Sequence, residues 1–244
     1  MAYEMSRALL SLLLLGSFFF LLNTSRDIYY RNNKSPDNRL AALTTLSIAL
    51  MFLFEYIQQV VVPDSWVLSA AAYGVYPASL LCAGTSTLLH FQAVRSHYRI
   101  RLSTIAAIVY IPVLLYFAVL IFLGQAFMVT SIETVGVWRA EQYGSGILFV
   151  FILLIFFSIL NVAVCVCACR VSLAAAKKKY CFLISANLCY YASAMFMKAV
   201  SHLPTAHIPG QAVIFAALMW GITIRIFIIK YNFLPSAERK FELL

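Results

Sequence analysis

Apolar residues along this chain fall into seven runs, each interrupted by a short polar or proline-bearing stretch. The runs cover about residues 6–23, 40–62, 66–92, 102–124, 145–169, 180–203 and 209–230. At 1.5 Å per residue, each is long enough to cross the ~30 Å hydrocarbon layer of a bilayer. The pattern predicts an all-α polytopic membrane protein: a bundle of seven transmembrane helices in one domain over residues 1–235, with a tail at 236–244. Pro-Asp-Ser alone separates runs two and three, and Pro63 stops the helix there. SHLPTAHIPG, with two prolines, separates the last two. No internal repeat is visible, unlike the duplicated architecture of many secondary transporters.

Polar residues inside these runs need a reason. In FLFEYIQQVVVP (52–63), a glutamate and two glutamines interrupt a segment otherwise suited to lipid. Read as a helix, Thr44, Ser47, Met51, Glu55 and Gln58 recur every three or four residues and share one face, with Gln59 beside them. A carboxylate facing acyl chains is costly, so this face is expected to point into the bundle. Run six repeats the theme with Asn187, Tyr191, Ala194, Lys198 and Ser201, and His202 follows. Lys198 and Glu55 fall at similar depth, as an ion pair or a shared wet cavity requires. Tyr73, Tyr76 and Pro77 lie in the same half of run three. The expected site is an outward-facing pocket of Glu55, Gln58, Gln59, Tyr73, Tyr76, Lys198 and His202, covered by the loop 124–145 with Trp138 and Arg139 as contacts. Blander roles compete: Lys198 snorkelling to the interface, the tyrosines as an aromatic belt, the glutamines and Asn161 as interhelical hydrogen-bonders. Arg225, five residues before Lys230, reads as snorkelling to the cytoplasmic side.

Composition agrees with the pattern. The 244 residues are 63% hydrophobic and 11% charged, with a mean hydropathy of +0.89. A soluble domain carries about 25% charged residues. The net charge of +9 would suit nucleic acid if it were spread over a surface, but it is sorted by loop. Arg26, Arg31, Lys34 and Arg39 follow run one; Arg95, Arg99 and Arg101 follow run three. Arg170 and Lys177–Lys179 follow run five, and Lys230, Arg239 and Lys240 follow run seven. The opposite loops hold only Arg139, and the N-terminus holds Arg7. Positive charge collects on the cytoplasmic side, which puts the N-terminus outside and the C-terminus in the cytoplasm of a cell-membrane protein. No A-x-A-like site follows FFFLLNTS, and the basic cluster follows the first run, so that run reads as a retained anchor and not a cleaved signal.

The chemistry of common enzymes is absent from the pattern. There is no GxxxxGK[ST], GxGxxG or HExxH motif. Cysteines 165, 167 and 169 in CVCAC are two residues apart, about 200° on a helix, and do not converge on a metal. His202 and His207 with Glu55 make the one conceivable zinc set, and Pro204 spoils its register. The last run has no central lysine for retinal. The reading is a non-enzyme with no cofactor and no metal.

Three stretches carry a resemblance: FLFEYIQQ, AAYGVYPASLL followed by LLHFQAVR, and KYNFLPSAERKFELL. The chain resembles the seven-helix N-terminal sensor region of bacterial histidine kinases and related signalling proteins. The likeness implies a sensor that binds a small extracellular ligand, with Glu55, Tyr76 and Pro77 at matching positions. It also implies a cytoplasmic kinase or regulator reached through 236–244. That family continues into an output domain, whereas this chain stops at Leu244, as a fragment or a stand-alone sensor would. The residues leave two other readings open: a transporter using the polar stripes of runs two and six, and a non-catalytic partner subunit or immunity-type protein. The orientation makes a testable prediction. A periplasmic phosphatase fused after residue 205 is expected to be active and one fused after residue 175 inactive; glycan on Asn23 or Asn33 would reverse the assignment.

Overall fold

The computed structural model describes residues 2–94, 101–127, 129–135, 138–171, 174–201 and 214–231. Helix α1 (Ala2–Arg31) runs on to Arg31 instead of ending near residue 23. Nothing in NTSRDIYYR breaks a helix, so Arg26 and Arg31 ride on its final turns and not in a loop. Helix α2 (Pro36–Tyr56) starts with proline in its first turn, where the missing N–H costs nothing. It continues through a wide turn, Ile57–Val61, in which the Val62 N–H reaches back five residues to the Ile57 carbonyl at 3.0 Å. Pro63 then ends it.

Helix α3 (Asp64–Ala70), a second wide turn (Ala71–Val75) and helix α4 (Tyr76–Ala93) form the third rod. The others are α5 (Leu102–Leu123), α6 (Ile147–Val171), α7 (Ala174–Ser201) and α8 (Ile214–Tyr231). Gly124, at φ 76°, ends α5 with a backbone that a side chain would strain. The segment expected as a covering loop is an antiparallel hairpin, β1 (Val129–Val135) and β2 (Trp138–Tyr143), with a bulge between Val129 and Ser131. The described chain is thus overwhelmingly helical, with seven rods and one hairpin.

Rods α2, α4, α6, α7 and α8 close a ring, each touching the next, while α1 braces α2 and α8 from outside and α5 braces α4. Ser25 donates to the Ala42 carbonyl at 2.7 Å and Asn38 to the Ile28 carbonyl at 3.1 Å, pinning α1 to α2. Arg225 does not simply reach for the cytoplasmic interface. Its guanidinium donates to Thr24 at 2.7 Å, pairs with Asp27 at 3.4 Å and lies 5.3 Å from the centre of the Phe20 ring, binding α8 to α1. Gly221 lets those helices meet, since a Cβ there would run into Leu21.

Four described helical stretches are long and apolar enough to cross a membrane: Glu4–Arg31, Pro36–Val61, Asp64–Ala93 and Ile147–Arg170. Shorter apolar stretches lie at Tyr110–Leu123, Tyr180–Tyr190 and Ile214–Ile226. The outside of the bundle carries large apolar side chains such as Phe122, Ile121 and Leu12, 84%, 74% and 70% exposed. Such a surface is compatible with acyl chains.

Gly74 sits on the second wide turn where it passes α2, and a Cβ there would lie 2.6 Å from the Phe54 ring. Gly74→Ala is therefore expected to lower stability by about 1–3 kcal/mol, as overpacking does, read as a fall in the thermal unfolding midpoint. An unchanged midpoint would show that the Phe54 ring moves aside freely.

Candidate ligand-binding cavity

The ring of five rods is not filled at its centre. Small residues on facing helices (Ser79, Ala83 and Ser86 on α4, Ser158 on α6, Ala217 on α8) leave a cavity of about 220 Å³. Its walls are mainly apolar, from Ile48, Met51, Leu154, Phe157, Ile214 and Trp220. It runs along α2 from Glu55 to Thr44, about 16 Å at the helical rise. Of the polar stripe on α2, Thr44, Met51 and Glu55 line the cavity, while Ser47 and Gln58 are buried but are not among its lining residues.

Glu55 is 2% exposed. Its Oε1 accepts a hydrogen bond from Gln59 Nε2 at 3.0 Å. Tyr76, the first residue of α4, is buried and lines the same end. Of the other expected site residues, Gln58, Gln59 and Arg139 are close by but are not among the cavity-lining residues. Tyr73 is 53% exposed on the outer side of the second wide turn. Trp138 pairs with Val135 through the hairpin backbone and Lys198 lies within α7, but neither side chain is among those described. His202 lies outside the described residues, as does the tail 236–244.

Gln58, Gln59 and Arg139 form a clasp above the Glu55 end. A wide turn disturbs the helical ladder and turns backbone carbonyls away from it. Arg139 Nη1 donates to one of these, Gln58 O at 3.0 Å, and to the carbonyl of Val62, just past the turn, at 2.6 Å. The Gln59 side-chain amide mimics a neighbouring strand: it accepts from the Arg139 N–H at 2.7 Å and donates to the Arg139 carbonyl at 3.0 Å. The same Nε2 contacts Glu55, so one buried amide joins the cavity carboxyl to the hairpin. Tyr116 of α5 serves the second wide turn in the same way, its hydroxyl donating to the Ala72 carbonyl at 2.5 Å.

A second polar group closes the other end, and sequence reasoning saw it only in part. Asn187, on the expected stripe of α7, donates to His90 Nε2 at 2.8 Å and to the Leu183 carbonyl at 2.9 Å. His90 Nδ1 lies 2.6 Å from the Ser86 carbonyl. A carbonyl can only accept, so in the neutral ring Nδ1 carries the proton and Nε2 accepts from Asn187. Asn161 of α6 donates to Ser86 Oγ at 3.4 Å. The available signal was Ser86 and His90 four residues apart in TSTLLH, one face of a helix.

A shallower groove on the outer face of α6 and α7 is lined by Ile155, Ile159, Val162 and Leu188. It shares Leu154, Ser158 and Tyr190 with the cavity, so these three side chains form the partition between them. The cysteines of CVCAC diverge as helix geometry requires: Cys165 is buried, Cys167 exposed, and Cys169 lies 3.6 Å from Cys181 of α7. Among the described residues no three potential ligands gather for a metal.

No known protein-family profile matches the chain, and no curated protein matches it either.

The clasp separates two contributions of Arg139. Asp64, 3.1 Å from Nη2, has a side chain 94% exposed, and such ion pairs contribute about 0–1 kcal/mol. The carbonyl contacts are shielded and charge-assisted, each contributing about 1.5–3 kcal/mol. Arg139→Ala is expected to lower the unfolding midpoint and expose the hairpin to protease, whereas Asp64→Asn leaves both near wild type. Equal effects of the two substitutions would contradict this division.

Proposed function

We propose that this chain is a multi-pass cell-membrane receptor that holds a small molecule inside its helical bundle and passes the occupied state to a cytoplasmic partner. The observation that carries the reading is the cavity, apolar along its walls with the Glu55 carboxyl and the asparagine amides toward its ends. Pockets for small ligands combine those features. A buried acid in a membrane helix is costly to keep, and its retention beside a cavity supports a role in binding. The positive-inside pattern orients the Glu55 end and the hairpin outward, so the ligand comes from outside. The resemblance to the sensor regions of histidine kinases supports a cytoplasmic kinase or regulator as the partner, engaged through 236–244.

The route from site to output runs through helix packing. An occupant pressing on Tyr76, Phe157 and Trp220 touches α4, α6 and α8 together. A ligand shifts such a bundle only by as much as it prefers one arrangement over another.

One observation favours a second reading, transport. The cavity extends most of the way down α2 and meets the buried Ser86, His90 and Asn187 chain. A pathway needs polar groups in that half of the bundle.

Ala83→Phe puts a ring into the cavity. Protein purified in lipid nanodiscs and extracted with solvent is expected to release a co-purifying small molecule from wild type. The Ala83→Phe variant should release at least tenfold less, and Glu55→Gln less than wild type. Equal yields from wild type and Ala83→Phe would remove the binding reading. Proteoliposomes loaded with the released compound then separate receptor from transporter: a receptor retains the load, a transporter leaks it. Deleting 236–244 should abolish output while leaving binding intact.

A further inference from the structure

We infer that Cys169 of α6 and Cys181 of α7 are a paired dithiol that hydroperoxides convert to a disulfide, tying the two helices together at their cytoplasmic ends. Their sulfurs lie 3.6 Å apart, on different helices and twelve residues from each other along the chain. A disulfide bond is about 2.05 Å long, so the sulfurs need to close by only about 1.5 Å, a side-chain rotation. Cys181 is exposed and Cys169 half-buried. Cys169 is the last residue but one of the apolar stretch Ile147–Arg170, and Cys181 is the second of the stretch Tyr180–Tyr190. The pair therefore stands where hydrocarbon gives way to water. Exposed Arg170 adjoins Cys169, and exposed Lys177 and Lys178 lie one turn before Cys181. Water-borne oxidants and reductants reach that level of the bundle.

The other thiols of the same helices are placed differently. Cys165 is packed into the core, and Cys167 is exposed about 200° round α6 from Cys169. Cys189 is exposed two turns further along α7, at the level of the hydrocarbon. The more exposed Cys181 reacts first. Its sulfur takes the terminal oxygen of the hydroperoxide, which leaves a sulfenic acid and releases an alcohol, or water from hydrogen peroxide. The Cys169 thiol then displaces that oxygen as water, and the S–S bond forms. Two electrons pass from the thiols to the O–O bond, and exchange with an external dithiol reverses the step. Disulfides in a reducing cytoplasm are chiefly transient or redox-sensing, which is the class this pair fits. The bond holds the same α6–α7 seam in which Leu154, Ser158 and Tyr190 divide cavity from groove, about 16 Å from Ser158 by the rise of α6. It gives the bundle a cytoplasmic input that does not depend on an occupant of the cavity. Two sulfurs packed together only to fill volume would show the same distance; their reactivity separates the cases.

The test uses the reduced full chain in lipid nanodiscs, treated with hydrogen peroxide for minutes. Remaining thiols are alkylated, and the digest is sequenced by mass spectrometry. Arg170 and Lys177–Lys179 lie between the two cysteines, so trypsin leaves them on separate peptides that only a disulfide can join. Wild type is expected to give a joined pair linked through Cys169 and Cys181, which dithiothreitol separates. Cys167→Ser should keep the link, while Cys169→Ser and Cys181→Ser should each abolish it. With the resolving thiol gone, Cys169→Ser should also accumulate about tenfold more Cys181 sulfenic acid than wild type, trapped with dimedone. The proposal is overturned if all six thiols of wild type survive the peroxide, or if the joined peptides come from two different chains. It is equally overturned if oxidation goes to other cysteines and leaves this pair reduced. The wild-type arm alone decides these outcomes and needs no variant to fold.

Discussion

Every backbone carbonyl in an apolar bundle needs a donor, and the two wide turns in the second and third rods create carbonyls that the helices themselves do not satisfy. Inside hydrocarbon such a group costs several kcal/mol. The chain answers with side chains from elsewhere in the sequence. Arg139 reaches back about eighty residues to Gln58 and Val62, and Tyr116 reaches more than forty to Ala72. These donors tie the hairpin and α5 to the part of the bundle where Glu55 and Tyr76 sit. The geometry of the cavity's upper end is therefore set by main-chain satisfaction as much as by packing.

The cavity follows from a related economy of size. Each of the five ring helices brings large residues to the seams, while the centre receives serine, alanine and asparagine from α4, α6, α7 and α8. Outside the ring, α1 adds no wall but anchors the lower half through Ser25, Asn38 and the Arg225 contacts. Rigid outer bracing around an unfilled middle keeps a void from collapsing, which close-packed cores otherwise do.

Much of this was legible in the residues. Seven apolar runs located the rods, because length and hydropathy alone govern that property. The three-and-four spacing of Thr44, Met51 and Glu55 identified an inward face, since a helix repeats on the same period. Legibility failed where distant segments meet. Nothing local in VTSIETVGVWRAEQY says that Arg139 will serve carbonyls of another rod, so Gln58 and Gln59 read as pocket residues, whereas the Gln59 amide and the Gln58 carbonyl meet the hairpin. Tyr73 and Tyr76 stand three residues apart, a spacing that suggests one face, but Tyr76 is buried and Tyr73, within the wide turn, is exposed. The apolar run ends before α1 does, because hydropathy falls at Asn23 while the helix continues to Arg31. Asn161 reads as interhelical glue, and its amide does reach across to Ser86 of α4.

The partition of Leu154, Ser158 and Tyr190 between the interior void and the outer α6–α7 groove has a consequence for concentration. A guest that entered through that wall, instead of from the aqueous outside, would be drawn from the oily phase, where a lipophilic compound accumulates far above its aqueous level. Its occupancy would track dissolution in lipid, and an apparent affinity referred to the water phase would be the product of a partition coefficient and an intrinsic constant.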